Sequence, residues 1–302
     1  MSHYLIGVDV GGTWVRVALV DEALNVIKKT ATRTSEFSTI EEYLYGLKKM
    51  VEEVDAQRLA TQIGMVVPTP WKDNMTHFQD ATNVSFLEGI ATKEIKDYFP
   101  NREIFFENDV NVVALLESQI ESRKAYESIM YITVSTGIGS GIIINGTIWQ
   151  GAKGYAGEVG NMIVSEREKD LVFVLEDICS GLALDVAAKT YYGEGANSER
   201  LFAAYHQGDE CALATIDSWF ETFSDTLASL MHVINPDIFV LGGAVIYHNQ
   251  WLIDELINRT RPKLFENLRE HLKIELSHYG SNSGVLGGAQ LCLMQKIKVE
   301  RG

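Results

Sequence analysis

Across 302 residues the chain carries 26 Lys and Arg against 41 Asp and Glu, a formal charge of −15, with 46% hydrophobic and 22% charged residues. That balance suits one large globular domain or two of ordinary size, and it argues against duplex nucleic acid as a partner, which needs a basic footprint. Cys179, Cys211 and Cys292 lie far apart, in no metal-ligand spacing, and suit reduced thiols. The first apolar run starts at Tyr4 with no basic stretch ahead of it, and the most apolar long stretch, "LASLMHVINPDIFVLGGAVI", is broken by His232, Asn235, Pro236 and Asp237. Neither a signal segment nor a membrane span is expected, so the chain reads as soluble and cytoplasmic.

In chain order, "YLIGVDV" (4–10) predicts a buried strand, "GGT" (11–13) a turn and "WVRVALVD" (14–21) a second strand, with a further turn over 21–25. Apolar residues at helical spacing predict a helix over 39–59. "QIGMVVPTP" (62–70) predicts a strand ending in a Pro-rich turn, and 87–99 a helix. "IFFENDVNVVALLE" (104–117) joins a buried strand to a helix. The pattern restarts at "SIMYITVSTGIGSGIIING" (128–146), again two strands around a Gly-rich turn. Helices follow over 176–191, 198–206 and 209–234. A strand and Gly turn come at 237–246, a helix over 250–270, a strand over 273–279 and a last helix over 284–297. Two α/β halves, each opening on a strand–turn–strand hairpin, are expected.

Three Gly-rich turns follow apolar strands: "DVGGT", "VSTGIGSG" and "VLGGA". Glycine permits positive φ and lets a ligand approach the backbone amides, which in such turns form anion-attracting concavities. A plain hairpin turn explains any one of them equally well. "GIGSG" is not a dinucleotide fingerprint, because a strand rather than a helix follows it. At the strand–helix join stand Glu107, Asn108 and Asp109. A carboxylate at the end of an α/β strand meets the crevice where ligands bind and can take a proton from a reacting hydroxyl. Asn108 or Asp109 suits an N-cap of the following helix just as well.

The order of these features resembles the actin–hexokinase–Hsp70 ATPase superfamily. "ENDVNVVALLE", "GGTWVR", "IGMVVPTP", "TNVSF" and "TGIGSGIIINGTIWQGAKGYAGEVGNM" resemble, over nearly the whole chain, the ROK family of repressors, open reading frames and sugar kinases. The resemblance implies an actin-like, ribonuclease H-like α/β fold of two lobes with a cleft between them. The first lobe would span 1–115, with the helix at about 285–297 packing back on it, and the second 116–284. It implies ATP-dependent phosphorylation of a hexose 6-hydroxyl, glucose being the leading expectation, with N-acetylmannosamine, allose or fructose as alternatives. A sugar sensor without turnover is the rival from another class. Gly11, Gly12 and Thr13 would form the first phosphate turn, Thr136 and Gly137 the second, and Gly242 and Gly243 the adenosine turn. Asp9 would place Mg²⁺ through water. Asp109 would be the general base, while Asn108, Glu158 and Glu176 grip sugar hydroxyls and Thr82 and Asn83 face the sugar's far side. Glu107 is left as scaffold. A homodimer is implied as well.

Two departures stand out. Many ROK proteins carry a His where Asn161 stands, followed by a Cys-rich zinc knuckle, whereas here no Cys occurs between residues 161 and 178. Structural zinc takes four N or S ligands, so none is expected, and the sugar contact of that His is expected to change. With the first strand starting at residue 4, no winged helix-turn-helix of the family's repressors is expected ahead of it.

Overall fold

The computed structural model describes residues 3–81, 83–168, 171–280 and 282–301, with 166–168, 171 and 296–301 described by backbone alone. The chain divides into two compact units, one of residues 1–121, 147–156 and 279–302, the other of 122–146 and 157–278.

The first unit contains β1 (Tyr4–Val10), β2 (Trp14–Asp21), β3 (Val26–Arg33), α1 (Ile40–Val54), β4 (Ala60–Val67), α2 (Thr92–Tyr98), β5 (Glu103–Asn108) and α3 (Asp109–Ser118). The short strand β8 (Thr147–Ile148) and the last helix α10 (Ser283–Arg301) also belong to it. Five of its strands form one sheet in the order β3–β2–β1–β4–β5, with β1, β4 and β5 parallel. Alternation along β1 sends Ile6, Val8 and Val10 into a core that includes Tyr43, Leu47 and Val51 of α1. Leu5 packs on the other face with Val285, Ala289 and Cys292 of α10. On that second face glycine meets glycine. A Cβ at Gly64 would sit 1.8 Å from the Gly288 carbonyl, and one at Gly7 1.8 Å from the Val285 carbonyl. The "SGVLGGA" glycines let α10 lie directly on β1 and β4.

In the second unit lie β6 (Ser128–Val134), β7 (Ile138–Ile144), β9 (Ile163–Glu168), β10 (Leu171–Val174), α4 (Leu175–Cys179), α5 (Gly181–Tyr192), α6 (Ser198–His206) and α7 (Glu210–Val233). The series closes with β11 (Ile238–Gly242), α8 (Ala244–His248), α9 (Leu252–Thr260) and β12 (Ile274–Leu276). Its main strands run β12–β11–β6–β7, parallel except for the β6–β7 hairpin. The core gathers around α7, where Trp219 stacks on Phe223 at 5.0 Å and donates from Nε1 to the Cys179 carbonyl at 2.8 Å.

Several elements differ from the sequence expectation. β3 is an additional edge strand, "VIKKTATR", whose lysines and threonines give no apolar run to read. β9 and β10 pair antiparallel within the stretch read only as charged and then apolar. The helix expected over 176–191 is broken at Ser180, whose extended backbone and hydroxyl cap α5 through Ala183 N at 3.1 Å. The helix expected over 250–270 ends at Thr260, with a 3₁₀ turn over Arg261–Lys263, because Pro262 lacks an N–H and cannot extend an α-helix.

Candidate active site

Asp9 lies near the C-terminal end of β1, level with Val66 of β4, which is in turn level with Glu107 of β5. The chain leaves all three parallel strands on this edge, and its ligand-facing loops start there. The first glycine turn is tied by Gly11 N donating to the Trp14 carbonyl at 2.9 Å and the Thr34 hydroxyl donating to the Gly11 carbonyl at 2.6 Å. Thr34 is buried and braces the turn from β3's end, a role invisible in the sequence because the pairing is long-range. Neither Gly11 nor Gly12 has positive φ. At position 12 space is tight, since a Cβ there would stand 3.2 Å from the Asn83 carbonyl. Asn83 is exposed beside that turn, and Thr82 lies outside the described residues.

The Asp9 carboxylate is bonded by Arg16 at 2.9 Å and is 14% exposed. Burial pushes its carboxyl up, against the opposing pull of Arg16. Gly284 makes room for it, as a Cβ there would be 2.4 Å from the Asp9 carboxyl carbon.

At the end of β5 the question of the cap is settled in favour of Asn108. Its Oδ1 accepts from Val110 N at 2.9 Å and Asn111 N at 3.2 Å, and its Nδ2 donates to the Thr69 carbonyl at 3.1 Å. That leaves Asn108 one amide hydrogen for a ligand. Asp109 is the first residue of α3, half-buried, and its Oδ1 accepts from Val110 N at 2.9 Å. Beneath it Glu107 is 2% exposed.

In the second unit the structure brings the second glycine turn, Glu176 and the Glu158–Asn161 loop together at the start of β7. Glu176 Oε2 accepts from Ile138 N at 2.6 Å, and a Cβ at Gly137 would lie 2.4 Å from the same oxygen. One carboxylate oxygen of Glu176, assigned to the sugar by resemblance, is therefore also a brace for the turn. A Cβ at Gly160 would meet the Ile138 carbonyl at 2.4 Å, which holds the Glu158–Asn161 loop against the same strand. Glu158 and Asn161 are both exposed. The amides of Gly181 and Leu182, at the start of α5, donate to the Ser135 and Thr136 carbonyls at 2.7 and 3.1 Å. Gly242 pairs with Thr133 in parallel register, and Gly243, at φ 86°, turns the chain into α8. A cavity of about 630 Å³ opens at this strand edge, lined by Ser135, Thr136, Gly181, Leu182, Ala244 and Val245 among others.

Among the described residues no group of three or more His, Cys, Asp and Glu side chains could hold a metal ion. Asp9 offers one carboxylate with one oxygen committed to Arg16, which fits a hydrated Mg²⁺ beside phosphates rather than a dry protein cage. Cys179 is a core residue, its thiol donating to the Trp219 carbonyl at 3.7 Å. No helix among the described residues is long and apolar enough to cross a membrane.

The chain is 24% identical over 311 residues to the glucokinase of Thermotoga maritima, covering 95% of this chain and 96% of that protein. It is 25% identical over 309 residues to an N-acetyl-D-glucosamine kinase of Pasteurella multocida, covering 95% and 98%. Among solved structures it resembles a ROK family glucokinase from Streptomyces griseus in complex with glucose and AMPPNP, with TM-score 0.76, 23% identity and coverage of 95% and 98%. The fold class is α/β, that of the actin-like ATPases. The ROK family model matches residues 5–295, so this chain is a member of the ROK family.

Proposed function

We propose that this protein is an ATP-dependent kinase that phosphorylates the 6-hydroxyl of a hexose, glucose first. The observation that carries the reading is Asp109, presented at the N-terminus of α3 on the strand edge shared with the Gly11–Thr13 turn. Asp109 takes the hydroxyl proton as the sugar oxygen attacks the γ-phosphorus. The new O–P bond forms, the β–γ bridge breaks, and ADP carries away the electron pair. The family resemblance assigns Asn108, which keeps one amide hydrogen free of its cap bonds, together with Glu158, Glu176 and Asn161, to the sugar hydroxyls, and Asn83 and Thr82 to the sugar's far side. The same resemblance assigns the phosphates to the Gly11–Thr13 and Thr136–Gly137 turns, whose amides suit an anion. The 630 Å³ cavity beyond Gly242 and Gly243 suits the nucleoside. Asp9 would hold Mg²⁺ through water, and the ion supplies charge neutralisation on the phosphates.

The named relatives support sugar phosphorylation, and N-acetylated hexoses are the second reading because several relatives are N-acetyl-D-glucosamine kinases. A cytoplasmic homodimer completes the proposal. Replacement Asp109→Asn tests it: turnover falls on the order of 10²–10⁴-fold with sugar affinity far less affected, whereas near-normal kcat sinks the base assignment.

A further inference from the structure

Glu107 is a buried carboxylate that the phosphoryl-transfer scheme leaves idle. It is 2% exposed, and three N–H donors converge on it. Asn108 N and Asn111 Nδ2 donate to Oε1, each at 2.9 Å, and Gln150 Nε2 donates to Oε2 at 2.6 Å. Burial pushes this carboxyl up to about 7, while the three hydrogen bonds pull it down and Asp73 adds to the rise. A buried carboxylate facing only neutral donors is costly to keep, and an apolar side chain would fill the place more cheaply if packing were the sole requirement.

Two of the three donors flank Asp109 in the chain, and the third comes from a segment distant in sequence. Asn108 precedes Asp109, Asn111 lies in the first turn of α3, and Gln150 belongs to the 147–156 segment of the same unit. That segment is itself anchored, with Lys72 Nζ donating to the Gly151 and Ala152 carbonyls at 2.8 and 2.9 Å. Gln150 Oε1 accepts from Asp73 N at 3.4 Å. One carboxylate thus ties the backbone before Asp109, the helix turn after it and an anchored loop. We propose that Glu107 is the positioning residue for Asp109, fixing the start of α3 against the 147–156 segment so that the Asp109 carboxylate points where the sugar hydroxyl arrives. The proposal rests on Asp109 being the base.

The pair Glu107–Gln150 allows a swap that separates positioning from mere folding. Gln150→Glu sets two carboxylates against each other and should displace the start of α3. Adding Glu107→Gln restores every bond, because the new amide oxygen still accepts from Asn108 N and Asn111 Nδ2 while its nitrogen donates to the carboxylate at 150. Gln150→Glu should lower kcat by about 10- to 100-fold, the scale of a misplaced catalytic group, with sugar and ATP KM little changed. The double replacement should return kcat close to its starting value. Gln150→Met, which removes the donor without adding charge, should lower kcat several-fold and serves if Gln150→Glu does not fold. Folded Gln150 variants with a lowered melting temperature but unchanged kcat would overturn the proposal, leaving Glu107 a brace of the fold. Asp109→Asn measured alongside separates the two readings. If it keeps turnover, the base assignment itself fails; if it loses turnover while the Gln150 variants keep theirs, only the positioning role falls.

Discussion

The two units share a strand plan and differ in what stands at the strand ends. In the first, β2–β1–β4–β5 are neighbours in that order; in the second, β7–β6–β11–β12 repeat it, each with an opening hairpin and parallel strands beyond. In the first unit the level of Asp9 continues through Val66 to Glu107, and Asn108 and Asp109 follow at once. The corresponding level of the second runs from Thr133 to Gly242, followed by Gly243 and the cavity. At the corresponding level the first unit carries the carboxylates of Asp9 and Glu107 and the second carries Thr133 and Gly242. The fold supplies the edge, and the residues at that edge differ between the two copies; on the proposed function the first serves proton transfer and the second the nucleotide.

The largest effect is expected on removing the proposed proton acceptor from one unit and a proposed sugar ligand from the other. Asp109→Asn should cost on the order of 10²–10⁴-fold in kcat, whereas Glu158→Gln should appear mainly in the sugar KM. Equal losses of kcat in both variants, measured by ADP release, would mean that the division of labour is misplaced. Next in size comes the backbone side. Gly243→Ala forces a left-handed φ of 86° and sets a Cβ 2.3 Å from the Val134 carbonyl. Thermal melting should report a destabilisation of about 1–3 kcal/mol, and the ATP KM should rise while the sugar KM holds.

Much of this was legible in the sequence, and the limits were physical. The hairpins, the glycine turns and the join at Glu107–Asp109 were readable because apolar runs and turn residues are local signals. β3 was not, since an edge strand rich in Lys and Thr carries no apolar pattern. In the glycine turns, positive φ and close approach to the backbone were both expected uses of glycine. Only Gly243 of the turn glycines has positive φ, while a Cβ at Gly137 or Gly242 would crowd the Glu176 carboxylate or the Tyr131 hydroxyl, at 2.4 and 2.5 Å. Thr34 bracing Gly11, Glu176 bracing Ile138 and Gln150 reaching Glu107 all pair residues far apart in the chain, which no periodicity encodes.

A smaller effect concerns the carboxylate side alone. Glu107 ordinarily titrates near 4.5 and is raised to about 7 by burial. A raised carboxyl favours the folded state fully below its ordinary value and loses that contribution as pH climbs through the folded value. The melting temperature of the wild type should therefore decline relative to Glu107→Gln between about pH 4.5 and about pH 7, and parallel profiles would contradict the assignment. Smallest is Asn161→His. A neutral hydrogen bond gained or lost is worth roughly 0.5–1.5 kcal/mol, so KM ratios among hexoses should shift by about 2- to 13-fold with the ATP KM constant. Unchanged sugar KM values would put Asn161 outside the pocket.

On the proposed function the carboxylate-bearing edge turns a bound sugar over at the expense of ATP. The direct measurement is coupled ADP release across a panel of hexoses and N-acetylated hexoses, with the Asp109→Asn protein beside the wild type. ADP release should depend on sugar, be greatest with glucose or a close relative, and collapse in the variant. Sugar binding detected by calorimetry without ADP release from any member of the panel would contradict it, and would make the chain a sensor.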